Sequence, residues 1–154
     1  METVSKLSFS LKFKGFIALL KLRLSSLVVM SAFFGFLLAD GNLSSFTFLK
    51  LIFGGILITG SSNGFNQIIE AKTDELMSRT SSRPLPSKIL NKWEALLFCI
   101  STGVLGLYLL ININFSSFFL GLLAIVIYTL IYTPLKKVTP FAVFIGAIPG
   151  SIPP

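Results

Sequence analysis

The chain has 154 residues, of which 53% are hydrophobic and 12% charged, with a formal net charge of +7. A soluble domain carries about 25% charged residues, so the composition excludes an ordinary soluble fold. It also excludes nucleic acid as a partner, because no soluble stretch remains to bind it. Histidine is absent and Cys99 is the single cysteine, inside an apolar run, which removes an intrachain disulfide and the commonest metal and heme ligand from this stretch.

The first apolar run is Leu24 to Ala39, preceded by Lys6, Lys12, Lys14, Lys21 and Arg23. A cleavable leader would end in small residues. Phe33, Phe34 and Phe36 stand there instead, so the run reads as a retained first membrane helix. Asp40-Gly41-Asn42 breaks it as a turn. Leu51 to Ile69 is the second uncharged run, and a polar loop follows from Glu70 to Glu94. Asn91 and Glu94 have the spacing of a capping pair ahead of the next helix. Ala95 to Leu135 is too long for one crossing of about 20 residues. Asn112 and Asn114 divide it into two helices joined by a tight turn. Val138 to Pro154, with four prolines, begins a fifth helix.

The expected fold is therefore all-α. It is a polytopic transmembrane helix bundle with four complete helices and the start of a fifth, forming one domain over residues 1–154. With the N-terminus in the cytoplasm, twelve of the thirteen Lys and Arg residues fall on the cytoplasmic side and only Lys50 faces out. That distribution is a positive-inside signal for an integral membrane protein.

The chemistry-bearing segment is Asn63 to Asp74, at the cytoplasmic end of the second helix. At about 100° per residue, Asn63, Asn66, Glu70 and Asp74 share one stripe about 80° wide, climbing toward the membrane surface. Mg²⁺ requires oxygen ligands and is commonly held by one or two carboxylates together with substrate phosphates. A stripe of amide and carboxylate oxygens suits a metal-bound diphosphate, and polar groups at membrane depth are functional candidates by default. The same residues also suit a helix leaving the membrane, and Asn63 and Asn66 suit hydrogen bonding between helices. Arg79 and Arg83 follow directly in Arg79-Thr80-Ser81-Ser82-Arg83-Pro84. Guanidinium groups bind phosphate in a bidentate fork, although charge alone fits a topology signal equally well.

Asn66 to Pro86, with Glu70 and Asp74 at four-residue steps and then Met77-Ser78-Arg79-Thr80-Ser81-Ser82-Arg83-Pro84-Leu85, resembles the first acidic motif of the UbiA prenyltransferase superfamily. Within that superfamily it is most similar to the heme-farnesylating branch. Leu20-Lys21-Leu22-Arg23 resembles the entry to the first helix in that branch, with Leu22 in place of the usual proline. Tyr132-Thr133-Pro134-Leu135-Lys136-Lys137 and Gly146 to Pro154 resemble the region between the fourth and fifth helices, with Ala142 where many members carry asparagine.

The resemblance implies about nine helices in all, a second acidic motif beyond this stretch, and therefore a chain truncated at its C-terminal end and inactive alone. It implies Mg²⁺ on Asn66, Glu70 and Asp74, which form the catalytic stripe. Arg79, Arg83 and Lys136 would bind the diphosphate, and Asn63, Lys21 and Arg23 would lend polar support. The implied substrates are farnesyl diphosphate and heme B, yielding heme O in the plane of a bacterial inner membrane. Heme A synthase or cytochrome oxidase assembly proteins are the implied neighbours. The rival readings are a prenyltransferase acting on a quinone precursor, and a transporter or assembly protein whose stripe lines a pathway.

Overall fold

The computed structural model describes residues 9–39, 41 and 45–151. Lys6 of the leading basic residues, Asp40 and Asn42 of the expected first turn, and residues 152–154 lie outside the described residues. The helices are α1 (Phe9–Leu20), α2 (Leu22–Leu38), α3 (Phe46–Glu75), α4 (Lys92–Ile111), α5 (Phe115–Val126), a π-helical turn (Ile127–Tyr132), α6 (Thr133–Leu135) and α7 (Ala142–Ser151). Among the described residues there is no strand. Four helical stretches are long and apolar enough to cross a membrane: 9–38, 46–75, 92–111 and 115–135.

Two boundaries differ from the sequence reading. Helix already covers Phe9–Leu20 ahead of Leu24, so Lys12 and Lys14 lie inside a helix. The break before the next helix falls at Lys21, whose φ of 46° and ψ of 52° are left-handed. No glycine or proline marks the site, and a non-glycine residue held there costs of order 1–3 kcal/mol. Side chains take up the carbonyls that the break releases. Gln67 Nε2 donates to the Leu19 carbonyl at 3.1 Å, and Ser25 Oγ donates to the Leu20 carbonyl at 2.8 Å.

The second difference is that α3 continues through Glu70 and Asp74 to Glu75. Hydropathy falls at Ile69, but Glu, Ala and Lys remain good helix formers, so polarity there changes the surroundings and not the backbone. Ser45 caps the other end, its side chain accepting the Phe48 N–H at 3.2 Å. Thr80 Oγ1 donates to the Asp74 carbonyl at 3.0 Å where α3 gives way to the loop.

The helix-start signals at Asn91 and Asn114 hold. The Glu94 carboxylate accepts the Asn91 N–H at 2.9 Å, and Lys12 reaches across from α1 to pair with Glu94 at 2.6 Å. Asn114 starts α5 by accepting the Ser117 N–H at 2.7 Å. Lys50 donates to the Asn112 carbonyl at 3.4 Å at the far end of α3, away from the other basic residues that form ion pairs.

Helix α3 is the centre of the bundle, and its tightest partner is α4. Small residues allow this approach, as expected where lipid supplies no hydrophobic drive between helices. A Cβ at Gly64 would lie 2.3 Å from Cys99 Sγ, and one at Gly103 would lie 2.8 Å from Ser61 Oγ. Ser61 also donates to the Cys99 carbonyl at 2.7 Å. Cys99 thus packs in a core with Leu19, Ile68, Leu90 and Ala95. Gly64→Ala should therefore destabilise the bundle by about 1–3 kcal/mol through overpacking, read by denaturant titration in mixed micelles. Adding Cys99→Ala should recover part of the loss. A neutral Gly64→Ala would mean that the two helices are not in this contact.

Candidate functional site

The Asn66–Glu70–Asp74 stripe predicted from spacing forms on α3, and two other segments close over it. The Asn66 side chain is buried at 3% exposure and Asp74 at 5%. Asn66 Nδ2 donates to Glu70 Oε2 at 3.1 Å. Its Oδ1 accepts from Thr133 Oγ1 at 3.0 Å and from Lys136 Nζ at 2.9 Å. Lys136 Nζ also lies 2.9 Å from Glu70 Oε1, and Arg83 Nη1 lies 2.6 Å from Asp74 Oδ2. Helix α3 therefore presents the oxygens, the α3–α4 loop contributes Arg83, and the chain just after α6 contributes Lys136.

The local folding of each segment explains this convergence. The α3–α4 loop is pinned by Leu90, buried at 2% exposure, whose N–H bonds the Pro84 carbonyl at 3.0 Å. Such pinning holds the Arg83 side chain over Asp74. On the other side, the π-helical turn brings Tyr128 and Tyr132 into contact, with ring centroids 5.1 Å apart. Lys136 Nζ sits 5.3 Å from the Tyr132 ring centre. Isolated π turns are common at functional sites.

Lys21, at the α1–α2 break, is half-buried and within electrostatic reach of Arg83, Lys136, Asp74 and Glu70. Three cations thus face two carboxylates, an excess of positive charge that suits an anion. Arg79 and Arg23 are exposed, and neither has a side-chain hydrogen bond within the cluster among the described residues. Asn63 lies one turn deeper on α3 than Asn66, at 2% exposure. It lines a cavity of about 260 Å³ together with Thr59, Ser62, Tyr128 and apolar side chains. A second cavity of about 190 Å³ shares Val28, Ile58, Thr59, Ala124 and Pro149 with the first and extends along α3 toward Leu51.

The donor set matches a hard divalent cation, because Glu70, Asp74 and the Asn66 amide supply only oxygen. Among the described residues no group of three His, Cys, Asp or Glu side chains is assembled. Two carboxylates plus an amide instead suit an ion that shares its shell with substrate phosphate. Lys136 and Arg83 supply positive charge to these oxygens in the structure. Sequence reasoning missed Thr133, Gln67 and Ser25. Thr133 stands in a segment whose resemblance was noted, but its hydroxyl role depends on the π turn, which leaves no local sequence signal.

The family model for the UbiA prenyltransferase family matches residues 28–154. Protoheme IX farnesyltransferase of Cytophaga hutchinsonii is 44% identical over 149 residues, covering 93% of this chain and 51% of that protein. The protein of the same name from Christiangramia forsetii is 43% identical over 133 residues, covering 86% of this chain and 44% of its own length. The mitochondrial protoheme IX farnesyltransferase of Pyricularia oryzae is 40% identical over 152 residues. The chain spans about half the length of the bacterial relatives it matches. No solved structure matches it. Four apolar helices around a buried acidic stripe, and a family match over most of the chain, lead to one conclusion: this integral membrane protein belongs to the UbiA prenyltransferase family.

Proposed function

We propose that the full-length protein transfers the farnesyl group of farnesyl diphosphate to a vinyl group of heme B, giving heme O. The observation that carries this reading is the Asn66–Glu70–Asp74 stripe held against Lys136 and Arg83. The names of the similar relatives supply the heme acceptor.

Lys136, Arg83 and Lys21 bind the diphosphate oxygens, and exposed Arg79 joins them as the substrate arrives. Asn66 and Thr133 orient Lys136. Glu70, Asp74 and Asn66 would hold Mg²⁺, whose Lewis acidity neutralises charge on a departing diphosphate. Lys136 and Arg83, which pair with Glu70 and Asp74 in the structure, turn to phosphate and would leave those carboxylates free to hold the ion. The apolar cavity below the stripe takes the prenyl chain and excludes water from the developing allylic cation. Arg23 remains a flanking charge at the membrane surface. Contact with heme A synthase or cytochrome oxidase assembly proteins belongs to the same proposal.

The test is product identification. The purified full-length protein, given Mg²⁺, heme B and farnesyl diphosphate, should form heme O, identified by mass. If heme B is recovered unchanged while 4-hydroxybenzoate is prenylated, the acceptor assignment fails.

The proposed site is a bacterial inner membrane with the N-terminus and the 72–92 loop in the cytoplasm. The motive is the distribution of Lys and Arg, with Lys50 alone at the opposite end. Cysteines placed at Ser45 and Ser82 should be labelled by an impermeant reagent from outside and only after permeabilisation, respectively. The reverse pattern would invert the topology.

A further inference from the structure

We infer that Asn63 is a catalytic residue that donates a hydrogen bond to the ester oxygen of the allylic diphosphate, the atom whose bond to carbon breaks. The inference rests on the diphosphate reading above and adds a residue to it. Asn63 is 2% exposed, yet its Nδ2 has no hydrogen-bond partner among the described residues. Leaving a buried donor unsatisfied costs about 1–3 kcal/mol, and such orphans call for an explanation such as a catalytic role. Neighbouring groups do not relieve it. Ser62 Oγ turns its proton to the Ile58 carbonyl at 3.0 Å and makes no bond with Asn63 Nδ2, and Asn66 Oδ1 already accepts from both Thr133 and Lys136.

Position supplies the ligand chemistry. Asn63 is three residues, about 4.5 Å of helix rise, below Asn66. It stands where the polar network ends and the cavity lined by Leu24, Val28 and Ile58 begins. A prenyl diphosphate held by Arg83 and Lys136 must cross that boundary, with phosphates above and hydrocarbon below. The atom at the crossing is the ester oxygen. When the carbon–oxygen bond breaks, both electrons pass to that oxygen and an allylic cation remains on carbon. The Asn63 N–H stabilises the new charge without transferring a proton. One such preorganised donor is worth about 10²–10³ in rate.

The experiment compares wild type with Asn63→Leu in the full-length protein, using farnesyl diphosphate and its thiolo analogue, in which sulfur replaces the ester oxygen. Sulfur is a weak acceptor. Asn63→Leu should lower diphosphate release about 100-fold with the oxygen substrate and less than about threefold with the sulfur substrate. Its thermal stability should match or exceed wild type, because an unsatisfied donor has been removed. Equal losses on both substrates, or no loss on the oxygen substrate, would overturn the assignment. Binding gives a readout that needs no turnover: wild type should prefer the oxygen ligand, and Asn63→Leu should lose that preference. A preference that persists in the variant, or is absent in wild type, would also overturn it. Heme O is quantified separately. Diphosphate release without heme O would refute the heme acceptor while leaving the Asn63 comparison intact.

Discussion

Glu70→Gln or Asp74→Asn in the full-length protein should reduce prenyl transfer by about 10²–10³-fold while leaving expression and folding near wild type. The expected size follows from losing several kcal/mol of metal-assisted charge stabilisation, at a factor of ten per 1.36 kcal/mol. Folding should survive for a structural reason. Each carboxylate is neutralised by one cation, Glu70 by Lys136 at 2.9 Å and Asp74 by Arg83 at 2.6 Å. Those side chains are 28% and 24% exposed, so a released cation can turn to water. Glutamine and asparagine keep the size and an accepting oxygen. Initial rates at saturating Mg²⁺, with matched expression, decide the matter. Near-wild-type rates in both variants would make the stripe a structural polar exit from the membrane.

The second large effect concerns residues 1–154 by themselves. They should insert into lipid and give no detectable heme O with Mg²⁺, heme B and farnesyl diphosphate. Among the described residues only Glu70 and Asp74 bring carboxylates to the cluster with Lys136 and Arg83, so a diphosphate would be gripped from one side only. The cavity below it is walled by α2, α3, the α5 region and α7. Insertion depends mainly on the hydrophobicity of each segment, and four stretches satisfy it. Turnover by this segment at the rate of the full-length protein would show that one acidic motif suffices.

Much of this arrangement was legible in the sequence because helical periodicity is a local property. Asn66, Glu70 and Asp74 were placed on one face by spacing alone, and Asn112 and Asn114 marked a turn through side chains that bond nearby backbone. The break at Lys21 was not legible. It lacks a glycine or proline, so only the packing of Leu20 against Gly60 and the bonds from Gln67 and Ser25 locate it. The helix ahead of Leu24 was missed for a different reason. Lys12 and Lys14 interrupt the hydropathy pattern without interrupting the helix, and Lys12 is matched by Glu94 from another helix. The pairing of Glu70 with Lys136 is tertiary and carries no signal in spacing. The same holds for the unpaired amide of Asn63, since a missing partner is visible only when all neighbours are in place.

The central claim is that the α3 stripe holds a divalent ion together with diphosphate, and binding tests it without any turnover. Mn²⁺ would replace Mg²⁺ as a paramagnetic probe, titrated into the full-length protein with and without inorganic diphosphate and followed by electron paramagnetic resonance. Because Lys136 and Arg83 occupy the carboxylates in the structure, Mn²⁺ alone should bind weakly. Diphosphate, by drawing those cations away, should tighten binding by at least about tenfold, a coupling of about 1.4 kcal/mol. The Glu70→Gln, Asp74→Asn double variant should lose the tight site. Equal Mn²⁺ binding by the double variant and the wild type, with diphosphate present, would contradict the assignment of the site to these residues.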